Sequence, residues 1–175
     1  FHRTEIVELL LANGADPNVY GVRLGIPLGI AAKDGRSDLV ELLIEGGADV
    51  SIRADHFLTP IHYAAMGGDP ECIRLLVQHG ANVNERSTGD SMWTPLHYAV
   101  WPYPVRPNRA DAITLLIQLG ADLDSVNSEG ESARDLALIY ANECRSNCEL
   151  AVAIAELVRR YRTPDNVGVD SATNV

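Results

Sequence analysis

Two histidines, His62 and His97, and three cysteines, Cys72, Cys144 and Cys148, are the side chains of this 175-residue chain best suited to chemistry. Imidazole exchanges a proton near neutral pH, so either histidine could act as a general acid or base. Neither has a serine or cysteine nucleophile at a recognisable spacing, and no strand-turn-helix elbow surrounds them. Cys144 and Cys148 stand at i and i+4, which puts two thiolates on one helical face. Zinc needs four ligands, and the one other cysteine, Cys72, lies far off in sequence. Ordinary packing of small residues is the simpler reading. Gly14, Gly47, Gly80 and Gly120 are followed by no Gly-Lys-Ser/Thr phosphate loop and read as helix stops. The expectation is no metal, no cofactor and no catalytic residue.

The elements that position these residues come from one repeated unit. Thr59-Pro60-Ile61-His62-Tyr63-Ala64-Ala65 opens a short helix, with a hydroxyl to cap it and a proline at its first position. Gly67-Gly68-Asp69-Pro70 breaks it, and Glu71–His79 restarts a helix with Ile73, Leu76 and Val77 on one face. Gly80 ends that second helix. Gly-Ala-Asp/Asn recurs at residues 14, 47, 80 and 120, in steps of 33, 33 and 40, and Pro27, Pro60 and Pro95 follow in steps of 33 and 35. Thr94-Pro95-Leu96-His97-Tyr98-Ala99 repeats the opening motif of the unit.

A 33-residue beat carrying Thr-Pro-Leu-His-x-Ala resembles the ankyrin repeats. The resemblance covers about residues 1–161. It implies an all-α solenoid of stacked helix-turn-helix units with hairpin or loop fingers. It also makes His62 and His97 structural, bonding to the backbone of the adjoining turn. The chain divides into a repeat stack over 1–162 and a disordered tail over 163–175, which is rich in Asp, Asn, Ser, Thr and Gly. Within the stack the units are a half repeat 1–19, repeats 20–52, 53–84 and 85–125, and a C-terminal capping repeat 126–162. The half repeat lacks a polar outer face, which favours a longer array over a fragment with one side uncovered.

Composition sets bounds on partners. A formal net charge of −10 argues against nucleic acid and against anionic membrane surfaces, both of which call for clustered Lys and Arg. Three cysteines at irregular spacing and no Asn-x-Ser/Thr site fit a reducing, intracellular setting, cytoplasmic or nuclear. No run of 18 or more apolar residues and no signal peptide is present, though the sequence starts at Phe1. A monomer, or part of a longer chain, is expected.

Function is sought where copies deviate from one another. In the first full repeat Ile26-Pro27-Leu28-Gly29 stands for Thr-Pro-Leu-His, which gives up a cap of about 1 kcal/mol and sets a glycine in the helix at about another 1 kcal/mol. Residues 1–52 are therefore expected to open before the rest. Its second helix is placed at Asp38–Glu45 with Leu39, Leu42 and Leu43 inward. The repeat over 85–125 carries two insertions. One is Ser87–Trp93 in the hairpin; the other is Trp101-Pro102-Tyr103-Pro104-Val105-Arg106-Pro107-Asn108-Arg109, stiff with proline, aromatic and basic. Insertions in solenoids fall on one face, often the binding face. The closing repeat keeps the register with Ser132-Ala133-Arg134-Asp135, and a final helix is expected at about Cys148–Tyr161, with Leu150, Ala151, Ile154, Leu157 and Val158 inward.

The candidate recognition surface is Tyr20, Arg23, Asp55, His56, Phe57, Met92, Trp93, Trp101, Tyr103, Arg106 and Arg109, rich in the Trp, Tyr and Arg that dominate interface hot spots. Phe57 could instead pack on a neighbouring hairpin, and Trp93 could cover the seam between repeats. The resemblance implies a non-enzymatic module that binds a partner protein through hairpin tips, inner helices and the loop after Trp101. A substrate-recruiting arm of a larger enzyme, such as a ubiquitin ligase or acyltransferase, is the alternative. A small-molecule or catalytic pocket beside Trp101 is the weakest reading and would need a titratable group with a strongly shifted pKa.

Overall fold

The computed structural model describes residues 2–21, 25–53, 58–101, 109–143 and 148–161, the side chains at 2, 3, 143 and 148–153 excepted. The helices among the described residues are α1 (His2–Ala12), α2 (Pro27–Lys33), α3 (Ser37–Glu45), α4 (Pro60–Gly67), α5 (Pro70–Gln78), α6 (Pro95–Val100), α7 (Arg109–Gln118), α8 (Ala133–Glu143) and α9 (Cys148–Arg160). Each unit pairs a first helix with a second: α2 with α3, α4 with α5, α6 with α7 and α8 with α9. First helices touch first helices in one row, and α1, α3, α5, α7 and α9 form the second. The core is the seam between the rows, where Leu28, Ile61 and Leu96 meet Val40, Ile73 and Ile113, all buried. This is the expected all-α solenoid. Among the described residues the only extended pairings are isolated bridges, Gly21 with Gly25 and Val126 with Ser132.

The recurring Gly-Ala mark has a definite backbone role. Gly80 holds φ +96°, a left-handed conformation that lets its N–H reach Val77 O at 3.0 Å while Ala81 N–H reaches Leu76 O at 2.9 Å. That pair of bonds satisfies carbonyls the helix end would otherwise orphan. Ala48 to Leu43 and Ala121 to Leu116 repeat it at 2.9 Å. At the helix starts, Asp69 caps α5 by accepting from Cys72 N–H at 2.9 Å. In the closing repeat, Asp135 takes the histidine's place, accepting from Ser132 N–H at 2.9 Å and from Ser132 Oγ–H at 2.6 Å. Arg134 donates to Val158 O and Tyr161 O, both at 2.9 Å, and so ties off the end of α9.

Several expectations shift. Helices α1, α3 and α5 begin one to three residues earlier than read from the pattern, and α5 and α9 each end one residue sooner. On α3 the buried ridge is Val40 and Leu43, while Leu39 and Leu42 are half-buried. Of the closing helix, Ile154 and Val158 are buried and Leu157 is half-buried; Leu150 and Ala151 lie among the side chains left undescribed. Ile26 caps α2 with no side-chain bond, as expected. Gly29, read as a pure loss, makes room instead, since a Cβ there would lie 3.0 Å from Tyr63 Cδ2. On α1, Ile6 and Leu10 are 55% and 54% exposed where their register mates Cys72 and Leu76 are sealed. Among the described residues no first helix lies over α1 to cover them.

One inter-repeat device escaped the sequence reading. Asn18 donates to Gly47 O at 3.1 Å and accepts from Asp49 N–H at 2.8 Å; Asn84 does the same to Gly120 O at 2.9 Å and Asp122 N–H at 2.8 Å. Ser51 occupies the intervening register and bonds back to Asp49. Ser51→Asn should add the missing stitch onto the Gly80 carbonyl and Asn82 amide. The expected gain is about 1 kcal/mol, read as a higher urea midpoint at unchanged m-value. A midpoint that stays put or falls would show that the stitch does not transfer to this register.

Candidate functional site

His62 and His97 are built into the frame. Thr59 N–H donates to His62 Nδ1 at 3.1 Å, which leaves Nε2 to carry the hydrogen. Nε2–H then points at two carbonyls of the next loop, Glu85 O at 3.0 Å and Trp93 O at 3.2 Å. His97 repeats the arrangement, its Nδ1 accepting from Thr94 N–H at 3.2 Å and its Nε2 facing Glu131 O at 3.1 Å. Burial depresses the pKa of both, His62 to about 4, because the apolar seam disfavours imidazolium. These imidazoles are neutral struts that hold one repeat's loop to the previous repeat's first helix. Cys72 is sealed at the seam, and burial, aided by the Asp69 carboxylate, raises its pKa so that it stays a thiol. The described residues contain no group of His, Cys, Asp and Glu that could hold a metal ion.

The exposed chemistry lies on the first-helix row. Ile30, Tyr63 and Tyr98 share one register, Lys33, Met66 and Trp101 the next, at steps of 33 and 35. Ile30 and Trp101 are each 39% exposed, and Tyr63, Met66 and Tyr98 are half-buried. Around the third pair the rings form a connected cluster. Trp93 meets Tyr98 at 5.1 Å and Trp101 at 5.0 Å between centroids, and Trp101 meets Tyr140 edge-on at 5.4 Å. His62 closes the other end, edge-on to Tyr98 at 5.6 Å.

Trp93, Tyr98 and Trp101, with Met66 and Ser91, line an open groove of about 250 Å³. Its loop is fastened at the neck: Ser87 N–H donates to Trp93 O, and Trp93 N–H donates to Ser87 Oγ, both at 2.8 Å. Ser128 N–H ties Ser91 O to the following loop at 3.1 Å. Met92, beside Trp93, holds φ +49°, a left-handed backbone that costs a non-glycine residue about 1 kcal/mol and persists only where surrounding bonds impose it. Burial raises the pKa of Tyr98, more than the neighbouring Ser87 and Ser91 hydroxyls lower it, so the phenol is neutral. Among the described residues the groove lining holds no carboxylate, thiol or imidazole. What it offers is ring faces and a fixed shape.

Of the residues expected at a recognition surface, the structure brings Trp93 and Trp101 together, with Met92 exposed beside them. Tyr20 is 47% exposed in the loop before α2, two loops back along the chain. Arg109 is corrected: it is 1% exposed and opens α7. It stands eleven residues before its Gly-Ala mark, the register of Asp69, whose Cβ comes within 3.3 Å of the point where a Gly35 Cβ would sit. Arg23, Asp55, His56, Phe57, Tyr103 and Arg106 lie outside the described residues, as do Cys144 and the tail over 163–175. Sequence reading missed Tyr63, Met66, Tyr98 and Tyr140. The signal was available, since aligning the Thr-Pro motifs puts Tyr98 on Tyr63 and Trp101 on Met66.

Residues 28–127 match the family model for ankyrin repeats, in three copies. No curated protein matches the chain. No helix among the described residues is long and apolar enough to cross a membrane.

Proposed function

The chain belongs to the ankyrin-repeat family, and from that premise we propose that it is a non-enzymatic adaptor that binds a partner protein on the first-helix row and the adjoining loops. Ankyrin repeats are in general protein-interaction modules. The observation that carries the reading is the connected aromatic face, Tyr98, Trp93, Trp101 and Tyr140, left half-open. Trp and Tyr supply large contact area at little cost in side-chain entropy. Met92, Tyr20 and the loop residues Arg23, Asp55, His56, Phe57, Tyr103 and Arg106 remain proposed contributors around this centre. The free Cys72 thiol supports an intracellular setting, cytoplasmic or nuclear.

Trp101→Ala should leave helicity by circular dichroism intact, because the side chain is 39% exposed at the end of α6. Capture of a partner from native lysate should fall at least tenfold, about 1.4 kcal/mol. Unchanged capture would move the site elsewhere. A recruiting arm of a larger enzyme would use the same face, and the full-length reading frame separates that case from a free-standing adaptor.

A further inference from the structure

We infer that the groove between Met66, Trp93, Tyr98 and Trp101 receives a cationic side chain, Lys or Arg, from a basic segment of the partner; this rests on the reading that a partner docks on this face. The walls carry the argument. Trp93 is inclined 55° to Trp101 and 57° to Tyr98 at centroid separations of 5.0 and 5.1 Å, so the rings make an angled trough and not a flat stack. Ring faces carry the negative lobe of the aromatic quadrupole, and Trp presents the strongest one. Tyr140 braces Trp101 edge-on at 78°, and the Ser87 bonds fix Trp93, so the trough exists before anything enters it.

Among the described residues, its lining has no cation that would compete for those faces. The polar groups at its edge are the neutral hydroxyls of Tyr98 and Ser91. Among the described lining residues an anion would find no charged donor, and it would approach a chain of formal net charge −10. A basic segment is drawn by that same charge and desolvates against π faces. Asp90, exposed and adjacent to Ser91, adds a local negative charge; Lys33 sits one repeat away, in the register of Met66. A volume of about 250 Å³ suits the end of one long side chain and not a whole peptide.

The test titrates the whole chain, by tryptophan fluorescence and calorimetry, with four peptides of Gly-Ser background that carry three Arg, three Lys, three citrulline or three norleucine residues. Citrulline keeps the shape of Arg without its charge, and norleucine keeps the apolar stem of Lys. The Arg and Lys peptides should bind at least tenfold more tightly than their neutral counterparts, with affinity falling as NaCl is raised. Trp101→Leu, which keeps apolar bulk and removes the ring, should abolish the preference, and Glu8→Gln on α1 should leave it intact. Equal binding of the neutral peptides, no binding by any, or a preference that survives Trp101→Leu would each overturn the inference. If the preference fails while lysate capture still depends on Trp101, protein docking on this face stands and only the cation is removed. If capture is also independent of Trp101, both readings go.

Discussion

Lowering the pH from 6.5 to 4 will take on the order of 3 kcal/mol from the folded chain through His62 alone. The imidazole is held neutral in the fold, where burial sets its pKa at about 4, whereas in the unfolded chain it protonates near its ordinary 6.5. The unfolded state therefore binds the extra proton first. Stability is complete above 6.5, declines with each unit below it, and is fully lost from this source once the pH falls through 4. His97 acts in the same direction, its pKa also lowered by burial. Carboxylates do not confuse the window. Asp38, held at about 2 by its bond to Arg36, gives up its contribution only below its ordinary 3.8. Urea melts at pH 7.5, 6.5, 5.5 and 4.5 measure the slope, and His62→Gln, which cannot titrate, should flatten it even though it begins from lower stability. An unaltered slope in that variant would remove His62 as the cause. The loss has a location, because His62 Nε2–H holds the Trp93 carbonyl: acid should loosen the wall of the aromatic groove before it melts the row of second helices.

That histidine shows how far the sequence could be read. Its place in the Thr-Pro-x-His motif, repeated at 33 and 35 residues, revealed the architecture, because a motif that returns on the beat must solve the same local problem each time. Thr59, Pro60, His62 and Gly80 act within one unit or on its immediate neighbour, so the pattern exposes them. The recognition surface is another matter. Trp93 and Tyr140 belong to different repeats and meet only through Trp101, a relation no linear spacing expresses. Arg109 was misplaced because charge on a proline-rich stretch suggests solvent, whereas the residue opens α7 and is 1% exposed. Gly29 was read through helix propensity alone, yet its neighbour across the repeat boundary, Tyr63, gives the missing side chain its purpose. The lesson carries to the next glycine, where the two arguments predict opposite signs.

Gly67→Ala should destabilise the chain by about 2 kcal/mol, although propensity says the reverse. Gly67 is the last residue of α4, and alanine in a helix is normally worth about 1 kcal/mol over glycine. Here a Cβ would lie 2.5 Å from the Lys33 carbonyl oxygen and 2.9 Å from that of Ala32, both backbone atoms at the end of α2. No rotamer change relieves contact with a backbone, so α2 and α4 must separate, and overpacking of that kind costs about 1–3 kcal/mol beyond any propensity gain. Gly80 is the comparison: with φ +96° it also resists a side chain, but a Cβ there would meet nothing within 4 Å, so its cost is conformational. Urea melts give the sign, and amide exchange should show α2 opening faster in Gly67→Ala than in Gly80→Ala. A variant as stable as the parent would mean that α2 yields freely. The spacing at Gly67 also sets how Ile30 and Lys33 stand to Tyr63 and Met66 on the exposed row. Partner capture should therefore weaken in Gly67→Ala, though the residue is packed against a neighbouring backbone and offers no side chain to a partner.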